Sequence, residues 1–170
     1  MAPNQQDRVM LLAFLHLAAR RSEIFGLTVS DLDWEHQRVR LWTRKRQGGT
    51  LEYDWLPITD ELRDALRAWL DDRPVDSEYV FICLDDYEYC RPYYGKPFRV
   101  RAHFMNRLCE AAGVKAFGFH AIRHLSASLL FSLGYDVATI QAILRHKSPN
   151  TTARYLKSLG HEDVRAALQS

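Results

Sequence analysis

The residues best suited to chemistry in this 170-residue chain end at a tyrosine, Tyr155. A histidine, His146, precedes it, and His120 and Arg123 come before that histidine with the spacing His-x-x-Arg. A second arginine, Arg20, stands near the start of the chain. Two arginines, two histidines and a phenol are the residue types of a site that handles a phosphate with a phenolic nucleophile.

Cleavage of a phosphodiester by a protein nucleophile needs each of these groups. The transition state spreads negative charge over the non-bridging oxygens, which arginine guanidiniums neutralise with paired hydrogen bonds. A general acid must protonate the departing 5′ oxygen, and a base must help a phenol whose ordinary pKa is about 10. A tyrosine ester of phosphate keeps the bond energy for rejoining the strand. Neither ATP nor a metal is then needed, and we expect no cofactor.

Secondary-structure patterns place these groups near one another. His120 and Arg123 share one face of a predicted helix. Arg20 lies at the junction of the first two helices, and His146 falls just past a helix end. A lysine, Lys45, sits at the tip of a predicted β-hairpin, from which a long amine can reach a DNA groove.

The chain is predicted to be mainly helical, with a small antiparallel sheet in its N-terminal third. Residues 32–58 alternate apolar and polar side chains around a Gly-Gly turn, which predicts an antiparallel hairpin. The fold class is therefore α+β, in a single domain over residues 1–170. Helices are predicted over 9–19, 22–27, from Thr59, over 98–112, over 120–133, from Asp136, and from Ser148-Pro149 onward with Tyr155.

Composition and charge narrow the function classes. There is no 18-residue apolar run and the first residues are polar, so we expect a cytoplasmic protein without a membrane anchor. Three cysteines without a CxxC pair argue against a disulfide framework or a zinc ribbon. Net charge is only +2, but residues 60–88 hold ten of the 21 acidic residues and three of the 23 basic ones. The rest of the chain is basic enough to hold a polyanion.

These motifs together resemble the catalytic domain of the tyrosine recombinases, also called phage integrases. The family pattern is an arginine three residues before an acid, a hairpin lysine, His-x-x-Arg, a second His or Trp, and the tyrosine. The resemblance covers essentially the whole chain and is most specific in its C-terminal part. The matching residues here are Arg20 with Glu23, Lys45, His120 with Arg123, His146 and Tyr155.

The resemblance implies a role for each residue in a DNA strand exchange that passes through a 3′-phosphotyrosine. Arg20 and Arg123 would grip the scissile phosphate with help from His146, and Lys45 would protonate the 5′ oxygen. His120 would transfer a proton or position the phosphate. Glu23 would orient Arg20 and His120, and His124 would be a buried structural residue. Basic side chains expected to contact DNA are Arg44, Arg46, Arg99, Arg101, Arg145 and Lys147.

The sequence departs from the family pattern at three places. Leu17-Ala18-Ala19 stands where the family usually has Thr-Gly-Leu, and Ala121 replaces a common aspartate. Arg145 replaces the glycine that usually supplies a left-handed helix end before the second histidine. Either a non-glycine residue adopts that conformation, at a cost of about 1 kcal/mol, or the helix ends differently. We expect Arg145 either to accept this strain for packing or to contact a DNA phosphate.

The family also implies partners that this chain does not supply by itself. Family members grip double-stranded DNA with a helical clamp domain before the first arginine, and only 19 residues precede Arg20. We expect the clamp to be missing from this chain and DNA binding by this piece alone to be weak. Residues 161–170 would dock on a neighbouring protomer in a tetramer on DNA. Without DNA, the alternatives are a tail folded back on its own domain and a monomeric chain. The resemblance implies a prokaryotic, phage or mobile-element source.

Alternatives remain open for single residues and for the function. Arg21 competes with Arg20 for the phosphate, and the spacing to Glu23 favours Arg20. His120 and His124 would suit a metal pair, but no carboxylate or cysteine at useful spacing completes a site, so no metal is expected. A type IB topoisomerase would use similar chemistry to relax supercoils. A non-catalytic DNA-binding module with a vestigial site is the other alternative.

Overall fold

The fold combines helices with one small sheet in a computed structural model, which describes residues 4–44, 49–101, 103–146, 150 and 152. Two short 3-10 turns, Val29–Asp31 and Arg91–Tyr93, lie in the connections. The helices in this part of the chain are α1 (Gln5–Leu17), α2 (Arg21–Phe25), α3 (Asp60–Asp72), α4 (Phe104–Ala111), α5 (Phe119–Ser132) and α6 (Val137–Leu144). The strands are β1 (Leu32–Asp33), β2 (Arg38–Arg44) and β3 (Leu51–Pro57).

Side-chain caps fix where three of the helices begin. Asn4 accepts a hydrogen bond from the backbone N–H of Asp7 at the start of α1. Thr59 caps α3 and Asp136 caps α6 in the same way, as the sequence predicted. Each cap satisfies backbone donors that have no partner inside the helix, which typically stabilises a helix by about 1 kcal/mol.

The sheet has the order β1-β2-β3 with antiparallel pairing, which confirms the predicted small antiparallel sheet. Val39 and Leu41 on β2 are completely buried and pack into the core. The opposite face carries Arg40, Trp42 and Trp55, whose side chains stack as cation–π pairs. The alternation that predicted a half-buried strand is therefore present.

The main core lies between α1, α3, the sheet and the short buried segment 80–82. Phe14 on α1 stacks on Phe119 with ring centroids 4.7 Å apart, and Phe119 also stacks on Phe104. Burying an aromatic side chain of this size contributes about 1.5–3 kcal/mol. Because Phe119 is the residue before His120, this packing fixes the start of α5 and hence the position of that histidine.

The fourth helix is shorter than the sequence predicted. Its basic amphipathic pattern predicted a helix over 98–112, whereas α4 begins at Phe104. Phe98 packs against Phe25, and the Arg101 guanidinium bonds to the Asp7 carboxylate at 2.5 Å. These tertiary contacts hold residues 98–101 in an irregular conformation. Their contribution outweighs the local preference for a helix.

Candidate active site

The junction of α1 and α2 positions Arg20 through its own backbone and side chain. Ala18 ends α1 in a left-handed conformation, with φ 44°. Arg20 follows as the N-cap of α2. Its backbone N–H donates to Glu23 Oε2 at 2.7 Å, and its Nη1 donates to Glu23 Oε1 at 2.8 Å. The arginine side chain stays about one-third exposed (36%), so it can also meet a ligand.

Glu23 is the hub of a hydrogen-bond network that joins three elements. Its carboxylate is 1% exposed and also accepts bonds from Thr43 Oγ1 on β2 and from Arg145 Nη2 after α6, both at 2.6 Å. Burial alone would raise the pKa of Glu23. The positive charges of Arg145 and Arg20 and the hydrogen bond from Thr43 oppose it and hold that pKa below its usual value.

Arg123 projects from α5 into the same region and is almost completely buried. Its two terminal nitrogens donate to the backbone carbonyls of Ala18 and Leu144, the residues at the ends of α1 and α6. A buried guanidinium keeps its charge, so these carbonyls partly satisfy a cation that has lost water. Arg123 therefore ties together the helix ends that carry Arg20 and His146.

The end of α6 positions His146. Arg145 ends the helix in a left-handed conformation, with φ 52° and ψ 42°, so the strained helix end expected at this non-glycine residue is confirmed. The backbone N–H of His146 then donates to the Gln141 carbonyl, and the Gln141 amide donates back to the His146 carbonyl at 3.0 Å. His146 Nδ1 lies 3.0 Å from Thr152 Oγ1.

Electrostatics link the two histidines to the arginines. Burial, followed by the charges of Arg123, Arg20 and Arg145, lowers the pKa of His146 to about 4. Burial and the charges of Arg123 and Arg20 also lower the pKa of His120. Both imidazoles are therefore neutral at pH 7 and can accept a proton. These mutual effects mean that Arg20, His120, Arg123 and His146 lie within electrostatic range of one another.

Among the described residues, the guanidiniums of Arg20, Arg123 and Arg145 and the carboxylate of Glu23 leave this cluster with an excess of two positive charges. Arg145 and His146 also line an open groove of about 1010 Å³ whose other wall is β3. A partly buried, positively charged cluster beside an open groove suits an anionic ligand such as a phosphodiester.

Other predicted site residues lie in different surroundings. Arg99 is exposed, over the Tyr93 ring, as a DNA contact requires. Arg101 is largely buried against Asp7, Phe98 and Phe104, and this placement does not favour a DNA contact.

Arg145 and His124 are the remaining predicted residues whose side chains the structure describes. The Arg145 side chain is 5% exposed and paired with Glu23, so a phosphate contact at the DNA surface is disfavoured for it too. His124 is half-buried, with its ring edge against His120.

Five of the predicted residues fall outside what the structure describes, wholly or in their side chains. For Arg44 the backbone lies at the end of β2 and the side chain is outside the described part. The others are Lys45, Arg46, Lys147 and the nucleophile candidate Tyr155.

Two polar residues of the site were missed in the sequence. Thr43 was interpreted only as part of a strand, although its position on the buried face of β2 was a signal, because a buried hydroxyl needs a partner. Thr152 is completely buried and lies three residues before Tyr155. Its position three residues before the candidate nucleophile was the available signal.

Three side chains outside this cluster also lie close together. Ligand atoms of Cys83, Asp85 and Cys90 all fall within 4.8 Å of one another. Structural zinc sites use four protein ligands, and this group supplies three.

Among the described residues, no helix is long and apolar enough to cross a membrane.

Two known proteins match most of this chain in sequence. The y4gC protein of Sinorhizobium fredii, which carries the name integrase/recombinase, is 31% identical over 166 residues, or 95% of this chain and 80% of that protein. Tyrosine recombinase XerC of Mycobacterium leprae is 30% identical over 158 residues, or 88% of this chain and 49% of XerC. The chain thus spans about half the length of this XerC relative.

Solved structures share the fold. The Tn1549 transposon integrase in complex with transposon right end DNA has a TM-score of 0.70 at 19% identity, over 96% of this chain and 59% of that one. XerH recombinase in a post-cleavage complex with a palindromic difH substrate has a TM-score of 0.68 at 21% identity, over 98% and 47%. The predicted α+β recombinase fold is therefore confirmed.

A family model also matches nearly the whole chain. The model described as the phage integrase family matches residues 2–162, which contain every candidate catalytic residue named above. This chain belongs to the phage integrase family of tyrosine recombinases.

Proposed function

We propose that this chain is the catalytic domain of a site-specific DNA recombinase that cleaves and rejoins strands through a 3′-phosphotyrosine. The observation that carries the proposal is the cluster of Arg20, Arg123, His120 and His146, held by the ends of three helices. The Thr152 contact to His146 brings the segment before Tyr155 to the same cluster.

In the proposed reaction, the phenolic oxygen of Tyr155 attacks the scissile phosphorus. The bond from phosphorus to the 5′ oxygen breaks, and Lys45 supplies the proton to that oxygen. Arg20 and Arg123 neutralise the charge that develops on the non-bridging oxygens. A neutral His146 or His120 accepts the phenolic proton. Attack of a 5′ hydroxyl from another strand reverses these steps and releases the tyrosine.

We infer that the partner is double-stranded DNA and that other copies of the chain assemble on it. Two relatives of the same fold were solved bound to DNA, a transposon end in one case and a difH site in the other. The excess of positive charge in the cluster supports the same ligand for this chain. Residues 161–170, outside the described part, would couple protomers in a tetramer.

Covalent capture tests this function. The chain is incubated with a library of duplexes that carry a nick beside a randomised sequence, so that cleavage releases a short strand and traps the enzyme on DNA. Wild type should form a denaturant-resistant adduct and Tyr155→Phe should form none. Absence of an adduct from wild type, or equal yield from Tyr155→Phe, would overturn the proposal.

The same protein preparations separate the alternatives. Relaxation of a supercoiled plasmid that shares no sequence with the captured DNA would favour a type IB topoisomerase. DNA binding without any adduct would favour a non-catalytic module. Deletion of residues 161–170 should reduce strand exchange more than first-strand cleavage, and equal losses would argue against a coupling role for this segment.

A further inference from the structure

Arg145 occupies a position where arginine has two free-energy costs that glycine would not have. Its left-handed backbone costs about 1 kcal/mol relative to glycine, which has no Cβ. Its Nε is buried without a hydrogen-bond partner among the described residues, and an unsatisfied buried donor typically costs about 1–3 kcal/mol. Glycine at this position would avoid both costs, so the contacts of the guanidinium must offset them.

The contacts of the Arg145 guanidinium show what it supplies. Nη2 donates to Glu23 Oε2 at 2.6 Å, while Nη1 donates to the carbonyls of Leu17 and Ile143 at 3.3 and 3.1 Å. The guanidinium therefore spans from the end of α6 to the end of α1. Thr43 Oγ1 and Arg20 Nη1 donate to Glu23 Oε1, whereas Arg145 Nη2 donates to Oε2.

The charge balance gives the pairing a consequence for Arg20. Without Arg145, the single carboxylate of Glu23 would face Arg20 alone and would neutralise most of its charge. With Arg145 present, Glu23 is shared between two cations, and the positive charge of Arg20 stays available to a phosphate. The charged groups that act on Glu23 are Arg145 and Arg20, and Asp54 in turn acts on Arg145. The neutral imidazoles of His120 and His146 lie near Arg123 and Arg20.

We propose that Arg145 is a positioning residue that holds Glu23 and leaves the positive charge of Arg20 free to bind the scissile phosphate. This role rests on the proposed function and adds to it. The family pattern has glycine here, so this chain would bind phosphate in a pocket with one more positive charge than the pattern provides. Arg145 acts from behind Glu23 and does not itself touch DNA.

Two measurements that do not require DNA cleavage test the proposal on the full chain. The first follows the Glu23 carboxylate by ¹³C NMR as pH changes. The second measures the affinity of inorganic phosphate from the side-chain NMR signals of Arg20 and Arg123. The variants are Arg145→Gly, which relieves the strain, Arg145→Met, which keeps an unbranched side chain without charge, and Arg145→Lys, which keeps the charge. Arg63→Ala, on α3, is the control for loss of a positive charge elsewhere.

In Arg145→Gly and Arg145→Met, the Glu23 pKa should rise, because burial then acts against fewer positive charges. Phosphate affinity should fall by about tenfold, which corresponds to ~1.4 kcal/mol. Arg145→Lys should restore most of both properties, and Arg63→Ala should change neither. An unchanged Glu23 titration and phosphate affinity in both uncharged variants would overturn the positioning role. A wild type that never forms a DNA adduct would instead overturn the proposed function, with both readouts still measurable.

Discussion

Arg123 donates a hydrogen bond to the carbonyl of Ala18, the residue whose left-handed backbone ends α1. The same guanidinium donates to the carbonyl of Leu144 at the end of α6. One side chain thus joins the element that carries Arg20 to the element that carries His146. The proposed phosphate ligand is also a structural link, so its removal should affect both activity and stability.

Arg123→Ala should abolish DNA cleavage and lower the free energy of unfolding by about 2–4 kcal/mol, since it leaves a cavity and removes the donor from two carbonyls. Urea denaturation and covalent capture measure the two effects. Arg21→Ala, which changes an exposed arginine beside Arg20, is the matched control and should alter stability by less than about 0.5 kcal/mol. An Arg123→Ala protein with wild-type stability would contradict the bonds to Ala18 and Leu144.

Thr152→Val should lower the rate of adduct formation by about tenfold, or ~1.4 kcal/mol of barrier, because His146 loses the hydroxyl that holds its ring. Stability should fall by only about 1 kcal/mol, the usual contribution of one hydrogen bond. Thr152→Ser keeps the hydroxyl and should retain most of the rate. Equal rates for the valine and serine variants would show that the contact has no role in cleavage.

The histidines predict how stability changes with pH. His146 has a folded-state pKa of about 4, below its ordinary value of 6.5, so the unfolded chain takes up this proton first as pH falls. Stability should therefore decline from about pH 6.5 toward pH 4, and the lowered pKa of His120 adds to the decline.

Thermal unfolding of wild type and His146→Gln at pH 7 and pH 5 measures this effect. The variant should lose less stability between the two values, since only the His120 share remains. An equal loss in both proteins would contradict a neutral, partly buried His146.

Arg99 and Arg101 should contribute differently to DNA binding and to stability. Arg101→Ala should lower the free energy of unfolding by about 1–3 kcal/mol through loss of the Asp7 bond, with no change in the salt dependence of DNA affinity. Arg99→Ala should leave stability unchanged and reduce the salt slope by about one, the value for one lost phosphate contact. Binding measured between 50 and 200 mM salt, together with urea denaturation, separates the two. A reduced salt slope in Arg101→Ala would show that Arg101 contacts DNA.

Local rules accounted for much of the fold. Thr59 and Asp136 could be predicted as helix caps because a cap acts on backbone donors two or three residues away. The hairpin followed from a period-two pattern and a Gly-Gly turn. The start of α4 could not be predicted, because it depends on contacts of Phe98 and Arg101 with residues near the start of the chain.

In the candidate site, too, local patterns predicted some features, and tertiary packing determined the others. The spacing of His120 and Arg123 placed them on one helix, and the motif order identified Arg20 and His146 as their partners. The convergence of Thr43 and Arg145 on Glu23 could not be predicted, since it joins positions separated by 20 and 122 residues. The left-handed end at Arg145 was one of two expected outcomes, but its direction toward Glu23 depends on how α6 packs against α5 and Ala18.

The central claim is that Tyr155 becomes joined to the 3′ phosphate of DNA at this cluster, and peptide mapping tests it most directly. The captured adduct is digested with protease and nuclease, and mass spectrometry locates the residue that carries the nucleotide. We predict a nucleotide 3′-phosphate on the peptide that contains Tyr155, formed by wild type and absent in Arg20→Ala. A nucleotide on any other of the eight tyrosines, or joined through its 5′ phosphate, would contradict the account.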